Sequence, residues 1–428
     1  MLEEFTMTKI AIIGAGSHFG GKLSRDILSL PELRDAHIAL CDINEERLTG
    51  AVGYVKSLID KHRLPGTVSG TTDRRAALTG ADFVVTSVSV GGPSYSAYPA
   101  NVEVNIPRKY GVEQSVADTI GVGGIFRFLR TAPVQLAVCR DMEELCPKAL
   151  LLNYTNPMCM LTWLHSEASS IANVGLCHSV QNTISELSRY LDIDEAEVRF
   201  HCAGINHQAW YLKLERNGKD LYPDLRAHLD IPEAVRKDSV RYEMFRHFGY
   251  FVTESTTHCS EYHPYFRRTD ELMEQFHLNK RAVSEETPRP HEWKDSEGEL
   301  KPSNEYAAMI MQAMVTDKPY RFNGNVMNTG MIPNLPDGSC VEVPCLVDAQ
   351  GVQPCYVGKL PAQLAALNLS NIVVQELAVR AVIDKDRDAA FHACAMDPLT
   401  RSVCSLDQTR AMFEELWEAE GELLAYFK

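Results

Sequence analysis

Cys177 and His207 are the residues of this chain best suited to hold a metal ion. Cys177 stands in Gly175-Leu-Cys-His-Ser179 and His207 in Ala203-Gly-Ile-Asn-His207. A thiolate and a neutral imidazole suit a borderline divalent ion such as Mn, Fe, Co or Ni. Two protein ligands leave open positions that a substrate diol could fill. The twelve cysteines include no Cys-x-x-Cys pair, which disfavours a structural zinc knuckle. Any metal must be held by residues drawn from separate segments.

The start of the chain carries a different chemistry. Lys9-Ile-Ala-Ile-Ile-Gly14-Ala-Gly16-Ser17 reads as a strand followed by a Gly-rich turn and a helix, the context of a dinucleotide loop. Gly14 permits the tight turn. Gly16 lets a pyrophosphate approach backbone N–H groups at the helix N-terminus. The third glycine of the fingerprint is replaced by Phe19, with Gly20 and Gly21 following. Asp42 ends the second strand, where a carboxylate bonds adenosine ribose hydroxyls and repels a 2′-phosphate, so NAD is favoured over NADP.

Three further stretches could do chemistry. Asn153-Tyr-Thr-Asn156-Pro157 places a rigid turn after a buried strand, where parallel sheets bind ligands. Asp118-Thr-Ile-Gly121-Val-Gly123-Gly124 is a second Gly-rich loop ahead of a helix bearing Arg127 and Arg130. Glu254 to Phe266 packs acids, imidazoles and phenols together, and His258, Glu254 and Tyr262 are its candidates for proton transfer.

The elements that must position these groups alternate. Strands are expected at Lys9 to Gly14, His37 to Cys41, Asp82 to Val88, Ala149 to Asn153 and Val174 to Cys177. Helices are expected at about Gly20 to Leu30, Leu48 to Lys61 and Pro133 to Leu145. Such alternation predicts an α/β fold, a Rossmann-like doubly wound parallel sheet. Beyond about residue 195 the pattern changes. Strands at Val198 to Ala203 and Ala209 to Glu215 flank the second metal motif. Short strands lie within Val326 to Leu346, and helices at Ala362 to Asp384 and Gln408 to Phe427. Residues 1–195 are therefore expected to form the NAD-binding unit. Residues 196–428 are expected to form an α+β region for substrate, metal and oligomerisation.

Composition narrows the classes. The formal net charge of -15 opposes nucleic acids and anionic membranes. No apolar run in the sequence approaches a membrane span of roughly 20 residues. Met1 to Met7 is acidic and carries no signal-peptide pattern. The cysteines read as reduced thiols of a cytoplasmic protein.

Taken in order, several motifs resemble glycoside hydrolase family 4, the NAD- and metal-dependent glycosidases. They are Ile13-Gly-Ala-Gly-Ser17, Pro107-Arg-Lys-Tyr-Gly111, Asp118 to Gly124, Asn153 to Pro157, Gly175 to Ser179, Ala203 to His207 and Cys340-Val-Glu-Val343. Phe248 to Ser255 and Cys340 to Asp348 look most like the α-galactosidase (melibiase) branch. α-Glucosidase and α-uronidase members share much of this. The family departs from two-carboxylate glycoside hydrolysis. The resemblance implies oxidation at sugar C3, deprotonation at C2, elimination of the aglycone, water addition and reduction, with NAD restored. It implies Cys177 and His207 as ligands of Mn²⁺ or another divalent metal, and Asn156 as a substrate contact. Gly14, Gly16, Ser17, Asp42 and Asn153 fall to NAD. Asp118 matches an acidic position beside the sugar. The phospho-glycosidase members carry Cys-Asp where this chain has Cys177-His178, and their base tyrosine aligns near Phe248-Gly249. Acid and base are therefore sought among His258, Glu254, Tyr262 and His178, and a 6-phosphosugar is disfavoured. A small α-glycoside substrate and a homodimer or homotetramer are implied.

Two rivals stand beside this. A 2-hydroxy-acid dehydrogenase needs a His–carboxylate pair and a substrate-binding Arg, without a thiol–metal site, and accumulates NADH. A catalytically silent NAD- or sugar-sensing regulator binds ligand without metal-dependent turnover.

Overall fold

The computed structural model describes residues 7–92, 97–281 and 299–428, so most of the Met1 to Met7 stretch lies outside the described residues. Six strands pair in parallel: β1 (Lys9–Ile13), β2 (His37–Cys41), β3 (Thr67–Thr71), β4 (Phe83–Thr86), β5 (Leu150–Asn153) and β6 (Asn173–Gly175). Their spatial order is β3-β2-β1-β4-β5-β6, that of a doubly wound dinucleotide fold. β4 and β5 are buried throughout and Ile10 to Ile12 are fully buried, as expected of strands covered by helices on both faces.

The second region extends the same sheet. It adds β7 (Val198–Ile205), β8 (Gln208–Arg216), β9 (Lys219–Asp220), β10 (Tyr320–Met327), β11 (Cys340–Asp348) and β12 (Gly351–Pro354). From β6 the sheet runs on antiparallel through β10, β11, β7, β8 and β9, with β12 on β11. One sheet of twelve strands therefore spans both parts of the chain. The α/β Rossmann-like expectation holds, with an antiparallel extension in place of an all-parallel sheet.

Several elements differ from the sequence reading. The helix expected from Pro133 begins at Gly121 and runs to Leu145, with Pro133 inside it. Its first turns are buried on every side, so they show no amphipathic period and their glycines read as a loop. Helix Met158–Ala168, also enclosed, starts directly after Pro157. β6 stops at Gly175, which leaves Cys177 in the loop before helix Ser179–Tyr190. The C-terminal helix is Leu406–Glu420, followed by a 3₁₀ segment from Gly421 to Phe427.

Helix Ala362–Asp384 corrects one expectation. The helix has 23 residues, an 18-residue window of which has a mean hydropathy of 1.3, so it is long and apolar enough to cross a membrane. Half of the stretch is buried inside the fold, and the helix packs on Met158–Ala168 and on Arg387–Met396. Its buried face is also polar. Asn368 accepts from Trp210 Nε1 at 3.2 Å and donates to the Gln208 carbonyl at 2.8 Å. These bonds fix the turn end of the β7–β8 hairpin.

Candidate active site

The β7–β8 hairpin turns through two residues, Asn206 and His207, and His207 takes the left-handed conformation at φ 62°. Two-residue hairpins favour that conformation, although a side chain other than Gly adopts it at a cost. Glu254 is left-handed as well, at φ 74°. It precedes Ser255, which caps the short helix Thr256–Cys259. Cys177 lies two residues past the end of β6. Three loops thus converge. Cys177 Sγ is 3.4 Å from His207 Nε2, and Glu254 Oε2 is 3.4 Å from the same nitrogen. One ligand atom from each of the three lies within 4.8 Å of the others, the one such group found among the described residues.

This is a sulfur, nitrogen and oxygen donor set of the kind a borderline divalent cation takes. Burial, with Glu254 adding to it, pushes the Cys177 thiol up to about 12. A cation bound there must displace that proton. Burial alone would raise Glu254, but His207, His258 and His178 outweigh it and hold the carboxyl below its ordinary range. The residues present therefore fit a metal.

A cavity of about 330 Å³ opens onto this group, at the small end for a ligand site. Cys177, His207 and Glu254 form one wall. Phe19 and Ser87 form part of another, with Tyr154, Asn156, Met158, Leu176, Asp118, His178 and His258 completing the lining. Asp118 accepts from Thr119 Oγ1 at 2.8 Å and from Asn156 Nδ2 at 3.3 Å. Burial works against its charge, yet His258, Arg127 and the Thr119 hydroxyl together hold its carboxyl low. The His258 ring lies 4.8 Å from that of His207, and its Nε2 is 4.0 Å from Glu254 Oε1. His178 stands half exposed at the rim, 3.6 Å from Glu305.

The Gly14 turn packs against Ser87, which lines this cavity. Gly14 is at φ 88°, and a Cβ there would lie 2.2 Å from the Ser87 carbonyl oxygen. Gly20 packs so tightly that its Cβ would meet the Ala15 carbonyl at 2.5 Å, so it does the work of the missing third glycine. Ser17 stands at the N-cap position of helix His18–Ser29 with its hydroxyl turned to the Gly14 carbonyl, and the helix's first turn has no acidic residue to compete for an anion. Asp42 accepts from the Gly16 amide at 2.8 Å and the Asn44 amide at 2.9 Å. Ile43 beside it is 96% exposed, an apolar surface of the kind an adenine ring covers.

Two expected site residues lie elsewhere. Tyr262 is buried behind His207, their rings 6.2 Å apart, and does not line the cavity. Asn153 is fully buried beneath it, accepting from Thr86 Oγ1 and the Thr155 amide. In turn the sequence reading passed over Phe19, Ser87, Tyr154, Met158 and Leu176. Ser87 was within reach, because it directly follows a parallel strand. Glu261 was also missed. One of its oxygens accepts from the amides of Ser115, Val116 and Ala117, at 2.6, 3.1 and 3.1 Å, and so shapes the loop leading to Asp118.

Residues 9–193 match the profile described as family 4 glycosyl hydrolase, and residues 202–400 match that of the family 4 glycosyl hydrolase C-terminal domain. An alpha-galactosidase of Bacillus subtilis (strain 168) is 37% identical over 439 residues, covering 99% of this chain and all of its own length. An alpha-galactosidase of Rhizobium meliloti (strain 1021) is 36% identical over 445 residues, covering 98% of this chain and 89% of its own. The fold is shared with a 6-phospho-alpha-glucosidase from gut microorganisms solved in complex with NAD and Mn²⁺. That likeness has a TM-score of 0.77 at 20% identity and covers 98% of this chain and 99% of that one. The chain is a glycoside hydrolase and belongs to family 4.

Proposed function

We propose that the protein is an α-galactosidase that works with NAD⁺ and a divalent metal, Mn²⁺ being the reference ion. The observation that carries this reading is one cavity lined both by Ser87, against which the Gly14 turn packs, and by the Cys177, His207 and Glu254 donors. A family relative in complex with NAD and Mn²⁺ supports the cofactors, and the two alpha-galactosidases support the sugar. Residues 1–195 would serve the dinucleotide and residues 196–428 the substrate and metal. Gly14, Gly16, Ser17 and Asp42 would hold NAD⁺, and Cys177, His207 and Glu254 the metal. Bound there, the two groups would supply hydride acceptance at sugar C3 and polarisation of the C2 and C3 oxygens.

The chain's own residues do the rest. His258, with its Nδ1 buried and unpartnered, is the base for the C2 proton. His178, at the rim where an aglycone must leave, protonates the departing oxygen. Asp118 and Asn156, already bonded to each other, hold sugar hydroxyls. Tyr262 drops out because it lies behind His207, and Asn153 acts by fixing the loop that presents Asn156. Glu254 moves from base to ligand. All twelve cysteines are free thiols, which supports a reducing compartment such as the cytoplasm. A homodimer or homotetramer rests on the family resemblance.

A panel of p-nitrophenyl α- and β-glycosides tests the reading. The α-galactoside should be turned over only with NAD⁺, Mn²⁺ and reductant present, and without net NADH. Full turnover in chelator, or accumulation of NADH, would contradict it.

A further inference from the structure

Glu342 is a buried carboxyl with no evident partner. It is the third residue of β11, at 0% exposure, and neither carboxylate oxygen has a hydrogen-bond partner among the described residues. Burying a carboxyl without a partner is unfavourable, so its presence asks for a group it serves.

Sheet register says where it sits. Glu342 stands opposite Asn325 on β10 and Gly204 on β7, and Asn325 stands opposite Gly175 on β6. Residues directly opposite share a face. The row Gly175, Asn325, Glu342, Gly204 therefore runs along one face, with Cys177 two residues beyond one end and His207 three beyond the other. Glycine at both ends keeps the row close to its cover. A Cβ at 175 would meet Thr162 Oγ1 at 2.3 Å, and one at 204 would lie 3.3 Å from Asn368 Oδ1. Helices Met158–Ala168 and Ala362–Asp384 thus roof this face. Apart from burial, the charges that bear most on Glu342 are those of Cys177 and His207. On the His207 side, Nδ1 is buried and unpartnered while Nε2 faces Cys177 and Glu254.

We infer that Glu342 is a positioning residue of the metal centre. It receives the Nδ1–H of His207 through trapped water and fixes the ring with Nε2 toward the cation. A metal-binding histidine ordinarily donates its second nitrogen to such a group, and losing the acceptor weakens metal binding. Buried water is the usual bridge between otherwise unpaired polar groups. The inference rests on the metal reading above.

The test measures Mn²⁺ binding directly, by the electron paramagnetic resonance signal of free Mn²⁺ titrated with the full-length protein and NAD⁺. Glu342→Gln should bind Mn²⁺ about 10- to 100-fold more weakly than wild type. NAD⁺ affinity, followed by fluorescence, should be unchanged. Mn²⁺ affinity within twofold of wild type would overturn the inference. If Glu342→Gln does not fold, Glu342→Asp, which keeps the carboxyl but shortens the reach, is read by the same two outcomes. Cys177→Ser and His207→Ala separate the layers. If both of these lose Mn²⁺ and Glu342→Gln does not, the role of Glu342 alone fails. If neither loses it, the metal reading fails with it.

Discussion

Cys177, His207 and Glu254 reach one point from three loops, and two of them do so in left-handed backbone conformations. Such conformations cost of order 1 kcal/mol or more each, so the surrounding bonds must hold them. Cys177 and His207 were legible because a thiol and an imidazole after strand-like runs are chemically distinctive. Glu254 was legible as a reactive group but not as a ligand, since nothing in the sequence tells that its loop folds back against the hairpin tip. Tyr262 failed for the matching reason: proximity in sequence to His258 does not say which side chain faces the cavity. At this scale Asp42 gives a clean test. Its carboxylate bonds the Gly16 amide beside the expected ribose position. Wild type should bind NAD⁺ at least tenfold more tightly than NADP⁺, and Asp42→Ala should lose that preference, as read by fluorescence titration. Equal affinities in the wild type would remove the role given to Asp42.

The elements that present these residues were legible where burial imposes a pattern. β1, β2, β4 and β5 are short apolar runs ended by polar turns, and each was placed within a residue or two. β3 was missed because Thr-Val-Ser-Gly-Thr is a largely exposed edge with no apolar alternation. The turn after β1 is set by close approach. Gly14→Ala would drive a Cβ into the Ser87 carbonyl and also strain the backbone. It should lower unfolding free energy by roughly 1–3 kcal/mol and weaken NAD⁺ binding at least tenfold. Wild-type NAD⁺ affinity in that variant would show that the turn is not the binding loop. Farther away, Asp397 accepts from the Thr400 amide at 2.8 Å, where helix Thr400–Val403 begins. Burial, outweighing that bond, raises its carboxyl to about 6. A raised carboxyl favours the folded state when protonated, so stability should fall as pH rises from about 4 to 6 and then level off. The full effect is roughly 3 kcal/mol. Asp397→Asn keeps an acceptor for the Thr400 amide and should flatten that limb in urea unfolding. Parallel pH profiles for the two proteins would contradict the shift.

At the scale of the whole molecule, one twelve-stranded sheet brings the glycine turn proposed for NAD⁺, packed on Ser87, and a metal-fitting donor set to one cavity. The sequence conveyed the parallel half and the order of motifs, and hence the family. It did not convey the antiparallel continuation, because that pairs residues as far apart as Gly175 and Asn325 and no local pattern records such a match. This continuity gives the reaction its shape, since the group that would accept hydride and the groups that would hold the C2 and C3 oxygens must face one sugar ring together. The central claim is that the glycosidic bond breaks by elimination after C3 oxidation and C2 deprotonation. Hydrolysis of an α-galactoside in deuterated water, with the released sugar examined by proton NMR, tests it most directly. The account predicts deuterium at C2 of the product and no turnover without NAD⁺. A product with only hydrogen at C2, formed equally well without NAD⁺, would contradict it.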